Sequence, residues 1–176
     1  MVVSTGPYMM TRTGRRFYFD APNPASIDLR DIDHALRHLN RFTGHVGPYN
    51  VATHSVNVLM CALDLGADDA TARLALMHDA HEAYVGDISS PLKIAIGPAF
   101  AAVDQRAADV VAIRFKLCGD AALVHKADRM VTHAEALAFM GEPAKVWAVD
   151  PWTEFRCSSW GHSFAFLDAC QEWGIE

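Results

Sequence analysis

Between Leu76 and Asp87 the chain reads Leu-Met-His-Asp-Ala-His-Glu-Ala-Tyr-Val-Gly-Asp, so that two histidines, two aspartates and a glutamate stand among apolar and small residues. The flanks read as buried helix, and charge in that setting has to be paired or bound to a metal. Two more polar residues interrupt apolar helical segments. His54 lies between Thr53 and Ser55-Val56, and Asp128 lies in Val124-His125-Lys126-Ala127-Asp128-Arg129-Met130-Val131. Imidazole and carboxylate together suit borderline divalent ions such as Zn2+, Mn2+, Fe2+ or Co2+. His54, His78, Asp79 and Asp128 would leave about two positions open on an octahedral ion, and open positions mark catalytic rather than structural metal. Each residue alone has an ordinary alternative: His54 a hydrogen-bonded core histidine, His78-Asp79 a surface dipeptide, Asp128 a partner of Lys126 or Arg129. Their succession on three separate helices is what favours a shared site.

Composition narrows the setting. The 176 residues are 51% apolar and 20% charged, which is the profile of a globular chain with a proper core, read as one domain over 1–176. A net charge of −6 argues against wrapping a nucleic-acid polymer, which needs a basic face. It does not exclude a small anionic substrate, because a metal and a few local cations outweigh the global charge. Cys61, Cys118, Cys157 and Cys170 are scattered without a C-x-x-C pair. That predicts buried reduced thiols in a cytosol rather than a zinc ribbon or a disulfide framework. No run approaches the ~18 apolar residues of a membrane span. Met1 to Thr13 lacks the pattern of a secretory leader, so a cytoplasmic protein without a membrane partner is expected. Neither a G-x-x-x-x-G-K-[ST] loop nor a G-x-S-x-G elbow is present.

The elements that must position these residues are helical. Apolar spacing and breakers predict an all-α bundle of five to seven helices, with at most a β-scrap near Arg15–Phe19. The first helix is expected from Ile27 to Phe42, capped by Asp28, and the second from Tyr49 or Asn50 to Leu65. A third is expected from Ala70 to Tyr84, capped by Asp68 or Asp69 and stopped by Gly86. A short helix opens at Ser89-Ser90-Pro91, a fifth runs from Pro98 to Phe115 with Phe100, Val103, Ala107, Val110, Val111 and Ile113 toward the core, and a sixth from Ala121 to Met140. A last helix is expected over Ser163–Trp173.

The order His54, His78-Asp79, Asp128 resembles the HD superfamily of metal-dependent phosphohydrolases. The run from His78 to Lys93 is similar to the extended signature of its 5'-deoxynucleotidase-like branch: a metal His-Asp, then Glu82, then Gly86-Asp87, then Pro91 and Lys93. Asn50-Val51-Ala52-Thr53-His54-Ser55 resembles that branch's first-ligand segment, and Arg41-Phe42-Thr43-Gly44-His45 its upstream arginine loop. The likeness spans roughly Arg15 to Leu137.

The resemblance implies that His54, His78, Asp79 and Asp128 hold one divalent ion (Zn2+, Co2+ or Mn2+). Glu82, one helical turn after His78, would orient or deprotonate the attacking water, with Asp87 assisting. Arg41 and Lys93 would take phosphate oxygens, with Ser90 and nearby amides contributing. His45 stands open between substrate contact and a structural role. Phe42, with Phe17 and Tyr18 behind it, is a candidate for stacking on a base. His34 and His38 are read as structural, and His81 as pointing away from the ion. The implied reaction is hydrolysis of the 5'-phosphate linkage of a (deoxy)nucleotide. Either a dNMP gives phosphate, or a dNTP such as dATP gives triphosphate, the latter with an additional Mg2+. The alternative is a non-catalytic nucleotide-binding HD module acting through a protein partner. A homo-oligomer, with the tryptophan-bearing tail as its interface, is also allowed.

Overall fold

The computed structural model describes residues 5–141, 150–155 and 165–176. Among them the chain is an all-α bundle with a single small β-hairpin, the class the apolar spacing predicts. In the hairpin, β1 (Tyr8–Met10) pairs antiparallel with β2 (Arg16–Tyr18), Met9 opposite Phe17. Alternation along β2 sends Phe17 into the core and leaves Arg16 outside.

Helix α1 (Leu29–His38) starts where expected, with the Asp28 side chain accepting from the Arg30 amide. It ends four residues before Phe42, with Leu39 extended. The reason is tertiary. Arg41 N donates to Tyr49 O at 2.8 Å and Val51 N to Leu39 O at 3.0 Å, so residues 40–50 close on themselves as a loop. Inside it Phe42 (φ 54°) and Thr43 (φ 55°) take the left-handed conformation, which is uncommon for any residue with a Cβ and strained for a β-branched one. Helix α2 (Val51–Asp64) follows, capped by the Asn50 side chain on Thr53 N at 2.9 Å.

Helix α3 (Asp69–Met77), capped by Asp68 on Thr71 N, does not run on to Tyr84. At His78 the chain tightens: Ala80 N bonds Met77 O at 3.0 Å and Glu82 N bonds Asp79 O at 2.9 Å, three-residue links in place of the four-residue α pattern. A single-turn helix α4 (Glu82–Val85) then ends at Gly86, whose φ is 83°. His78 and Asp79 therefore sit at a helix break and not mid-helix. Helices α5 (Ser90–Ile96), α6 (Pro98–Phe115) and α7 (Ala121–Met140) match their expected spans. Helix α8 (Ala165–Glu172) lies within the expected last helix, whose Ser163 is outside the described residues.

Helix α2 is the centre of the bundle, packed against α1, α3, α7 and α8. One of its sides joins Phe17, Ile32, Leu36, Leu76, Met77 and Phe166 in the larger core. The other meets Val124, Ala127 and Val131 of α7 in a smaller one. Three core expectations need correction. Ile113 is 65% exposed, Phe100 and Val103 are only half-buried, and Cys118 is exposed while Cys61 and Cys170 are buried. On α6 the buried stripe is narrower, being Ala107, Val110, Val111 and Phe115, because only its inner face meets the bundle. Cys157 and Trp160 lie outside the described residues. No described helix is long and apolar enough to cross a membrane.

Candidate metal centre

Packing of α2 against the end of α3 and the middle of α7 brings the four residues singled out in the sequence to one point. His54 Nε2 is 3.1 Å from Asp128 Oδ1 and 3.7 Å from Asp79 Oδ2. His78 Nε2 is 3.1 Å from Asp79 Oδ2 and 3.9 Å from Asp128 Oδ1. Ligand atoms held about 2.0–2.2 Å from one ion stand roughly 3–4 Å from each other, so these separations are compatible with a shared ion. His54, His78 and Asp128 each offer a ligand atom within 4.8 Å of the others.

Each imidazole is oriented by what holds its other nitrogen. His78 Nδ1 is 2.8 Å from the carbonyl oxygen of Ala75, and only an N–H makes a bond there. His54 Nδ1 is 2.7 Å from Oε1 of the fully buried Glu135. With both Nδ1 atoms engaged, as ligand histidines ordinarily are, both Nε2 atoms face the same point, where each would give up its proton to bind an ion. His78 Nε2 is buried and has no aligned hydrogen-bond partner among the described residues, although Asp79 lies beside it. Two imidazole nitrogens, one of them that orphaned atom, and two carboxylates fit a borderline divalent ion.

The acids divide into two groups by environment. Burial opposes ionisation of Asp128, but His54 and His78 prevail and hold it at about 2. Asp79 is likewise held well below the carboxylate range by His78, His54 and Arg41 against burial. Glu82 goes the other way, raised well above its ordinary value by burial and by the charges of Asp79 and Asp87. Burial and Asp79 raise Asp87 too, against Arg41. Burial and Arg41 push His54 down, yet Glu135 and Asp128 outweigh them and bring it up to about 9. Carboxylates pushed apart in proton affinity within one site are the arrangement that acid–base chemistry uses.

Asp79, Glu82, Asp87 and Asp128 form part of the lining of a cavity of about 820 Å³. Arg41, Phe42, His45, Ser90 and Lys93 line it too. Glu82 Oε2, Asp87 Oδ2 and Arg41 Nε are buried without hydrogen-bond partners among the described residues, as expected of groups kept for a ligand. Lys93 Nζ sits 3.7 Å from both Glu82 Oε1 and Asp104 Oδ2. Arg41 Nη2 is shared between Thr132 Oγ1 at 2.9 Å and Glu135 Oε2 at 3.3 Å. Phe17 and Tyr18 do not reach the cavity: Phe17 stacks on Tyr84 at 4.3 Å in the core, and Tyr18 lies against Tyr8. His81 turns away to Asp104 at 3.3 Å, and His34 meets Arg12 at the surface.

Sequence reasoning missed the α7 wall beyond Asp128. His125, Arg129 and Thr132 line the cavity, and Glu135 with Tyr49 lies behind His54. Glu135 was detectable by the criterion that selected His54, a charge within an apolar helical run, here Ala134-Glu135-Ala136-Leu137-Ala138.

Fold and site together define an all-α protein with a partly buried two-histidine, two-aspartate cluster beside a cation-bearing cavity. No protein-family model matches the chain. Among curated proteins it is similar to an uncharacterized protein of Rhodobacter capsulatus, 36% identical over 110 residues, which is 60% of this chain and 56% of that one. It is also similar to the uncharacterized protein YfdR of Escherichia coli K12, 40% identical over 87 residues, 49% of this chain and 46% of that one. The chain thus spans about half the length of the curated relatives it matches.

Proposed function

We propose that the protein is a divalent-metal-dependent phosphohydrolase of the HD type that cleaves the bond between phosphorus and the 5'-oxygen of a (deoxy)nucleotide. Release of phosphate from a monophosphate and release of triphosphate from a dNTP both break that bond. The observation that carries the reading is the meeting of His54, His78, Asp79 and Asp128, with the two aspartates on the wall of a cavity that also holds two high-affinity proton acceptors, Glu82 and Asp87, and two cations, Arg41 and Lys93. The sixteen-residue run from His78 to Lys93, similar to the 5'-deoxynucleotidase-like signature, supports the same reading.

His54, His78, Asp79 and Asp128 would hold the ion, which would supply Lewis acidity to water and to a phosphoryl oxygen when bound. The chain's own residues do the rest. Arg41 and Lys93 receive the non-bridging phosphate oxygens and fix the phosphorus over the acidic floor. Glu82 takes the proton from the attacking water as its oxygen bonds to phosphorus. Asp87, whose proton affinity is also raised, hands a proton to the departing 5'-oxygen. Phe42 and His45 line the cavity where the nucleoside would lie.

Purified protein given each dNMP, NMP and dNTP with Co2+, Mn2+, Zn2+ or Mg2+ tests this, with phosphate and triphosphate scored separately. Turnover of one of these classes is the expected result. No turnover with any metal overturns the enzyme reading.

A further inference from the structure

We infer that Glu135 is a positioning residue whose single carboxylate sets both the first histidine of the metal centre and the arginine that faces the phosphate. The inference rests on the function proposed above and adds a residue that neither the signature run nor the cavity lining contains.

The geometry is a closed circuit. Glu135 Oε1 accepts from His54 Nδ1 at 2.7 Å, and His54 Nε2 faces Asp128 Oδ1 at 3.1 Å. The Thr132 hydroxyl donates to the same Asp128 oxygen at 3.1 Å. Arg41 Nη2 donates to Thr132 Oγ1 at 2.9 Å and to Glu135 Oε2 at 3.3 Å, which closes the ring. Tyr49 Oη, itself accepting from Asn57 Nδ2, braces Glu135 Oε1 at 2.8 Å from outside the ring. Asp128, Thr132 and Glu135 are successive positions on one stripe of α7, so a rigid helix fixes three of the five members relative to each other.

A carboxylate with no exposed surface is costly in a helical core, and an apolar residue of similar volume would serve packing as well. What an apolar residue could not do is fix the His54 ring so that Nε2, and not Nδ1, points at Asp128 and Asp79. Nor could it hold the Arg41 guanidinium at the cavity wall. Glu135 does both, one oxygen to each, so its removal must loosen two binding functions at once.

The test reads metal and phosphate binding separately, without turnover. Co2+ alone is titrated against a chromophoric chelator, and inorganic phosphate is then titrated into the Co2+-saturated protein. Glu135→Gln should weaken Co2+ binding about 10–100-fold and phosphate binding about tenfold. Glu135→Asp, which keeps the charge but shortens its reach, should lose less of both and serves if the glutamine variant does not fold. Tyr49→Phe removes a bond to the same oxygen but leaves both links in place, and should keep both affinities within about threefold of the parent. If a folded Glu135 variant binds Co2+ and phosphate as the parent does, the positioning role falls while the metal centre stands. If Tyr49→Phe weakens both as much as Glu135→Gln, the role is structural and the inference is overturned. If the parent protein takes up no Co2+, the metal-centre reading and this inference fall together.

Discussion

Lys93 Nζ lies 3.7 Å from Glu82 Oε1, so the cation proposed for phosphate also faces the carboxylate proposed to take the proton. Lys93 works against the burial and the neighbouring Asp79 and Asp87 charges that raise Glu82. Without that ammonium, Glu82 holds its proton to a higher pH. Lys93→Met should therefore raise KM through the lost phosphate contact and shift the acidic limb of the pH–rate profile toward higher pH. A profile that keeps its acidic limb in place would show that Glu82 does not govern it.

Asp128 and Glu82 should separate metal retention from catalysis. Asp128 touches both histidines, whereas Glu82 lines the cavity against Lys93. Asp128→Ala should abolish metal uptake and turnover together. Glu82→Gln should retain the metal, measured by elemental analysis after desalting, and lose about 10²–10⁴-fold in kcat. Full turnover in Glu82→Gln would remove Glu82 from the mechanism.

Asp28 makes a stability prediction independent of function. Its carboxylate caps α1 and pairs with Arg30 and Arg15. Arg30 is the main reason its pKa is lowered to about 2, against the effect of burial. The ordinary value is about 3.9, so between the two the unfolded chain binds the proton more readily. The stabilisation is full above the ordinary value and is lost as pH falls toward the folded one. Asn at this position still caps a helix, so Asp28→Asn isolates the charge. Its Tm should be below the parent's at pH 7, with the gap closing between about pH 4 and pH 2.

Gly119 joins the starts of α3 and α7. A Cβ there would stand 2.7 Å from Thr71 Cα and 2.8 Å from Thr71 N, both backbone atoms, and its φ is 140°. The adjacent Asp120 amide donates to Thr71 Oγ1 at 3.0 Å, holding the two helix starts together. Gly119→Ala should cost about 1–3 kcal/mol through strain and displacement, seen as a lower midpoint in urea with m unchanged. An unaltered midpoint would mean the junction is more pliant than its contacts imply.

Much of this was legible in the chain itself. The helices over Pro98–Phe115 and Ala121–Met140 could be read to the residue because Pro, Gly and Asp punctuate them. His54, Asp79, Asp128, Glu82 and Asp87 stood out because a charge or an imidazole in an apolar run is expensive unless something uses it. The same local signals ran straight through two places where the fold turns. Nothing between Ala70 and Tyr84 breaks a helix, yet the chain tightens at His78, where the ring bonds back to Ala75 and the following amides adopt three-residue links. Nothing before Thr43 ends the first helix at His38. The bonds from Arg41 to Tyr49 and from Val51 to Leu39 end it there, and they take Phe42 out of the expected helix into a loop at the cavity wall.

The sequence by itself determined the all-α class, the order of the helices and the residue types gathered for chemistry, because periodicity, capping and the cost of buried charge act over a few neighbouring residues. Only the tertiary structure decided which of those residues meet. His54 and Glu135 lie 81 positions apart, and Arg41 and Glu135 lie 94 apart. Such pairings depend on how α2 and α7 pack rather than on local propensity. That packing puts both histidine Nε2 atoms within reach of Asp79 and Asp128, sets Lys93 against Glu82, and leaves Phe17 and Tyr18 outside the site.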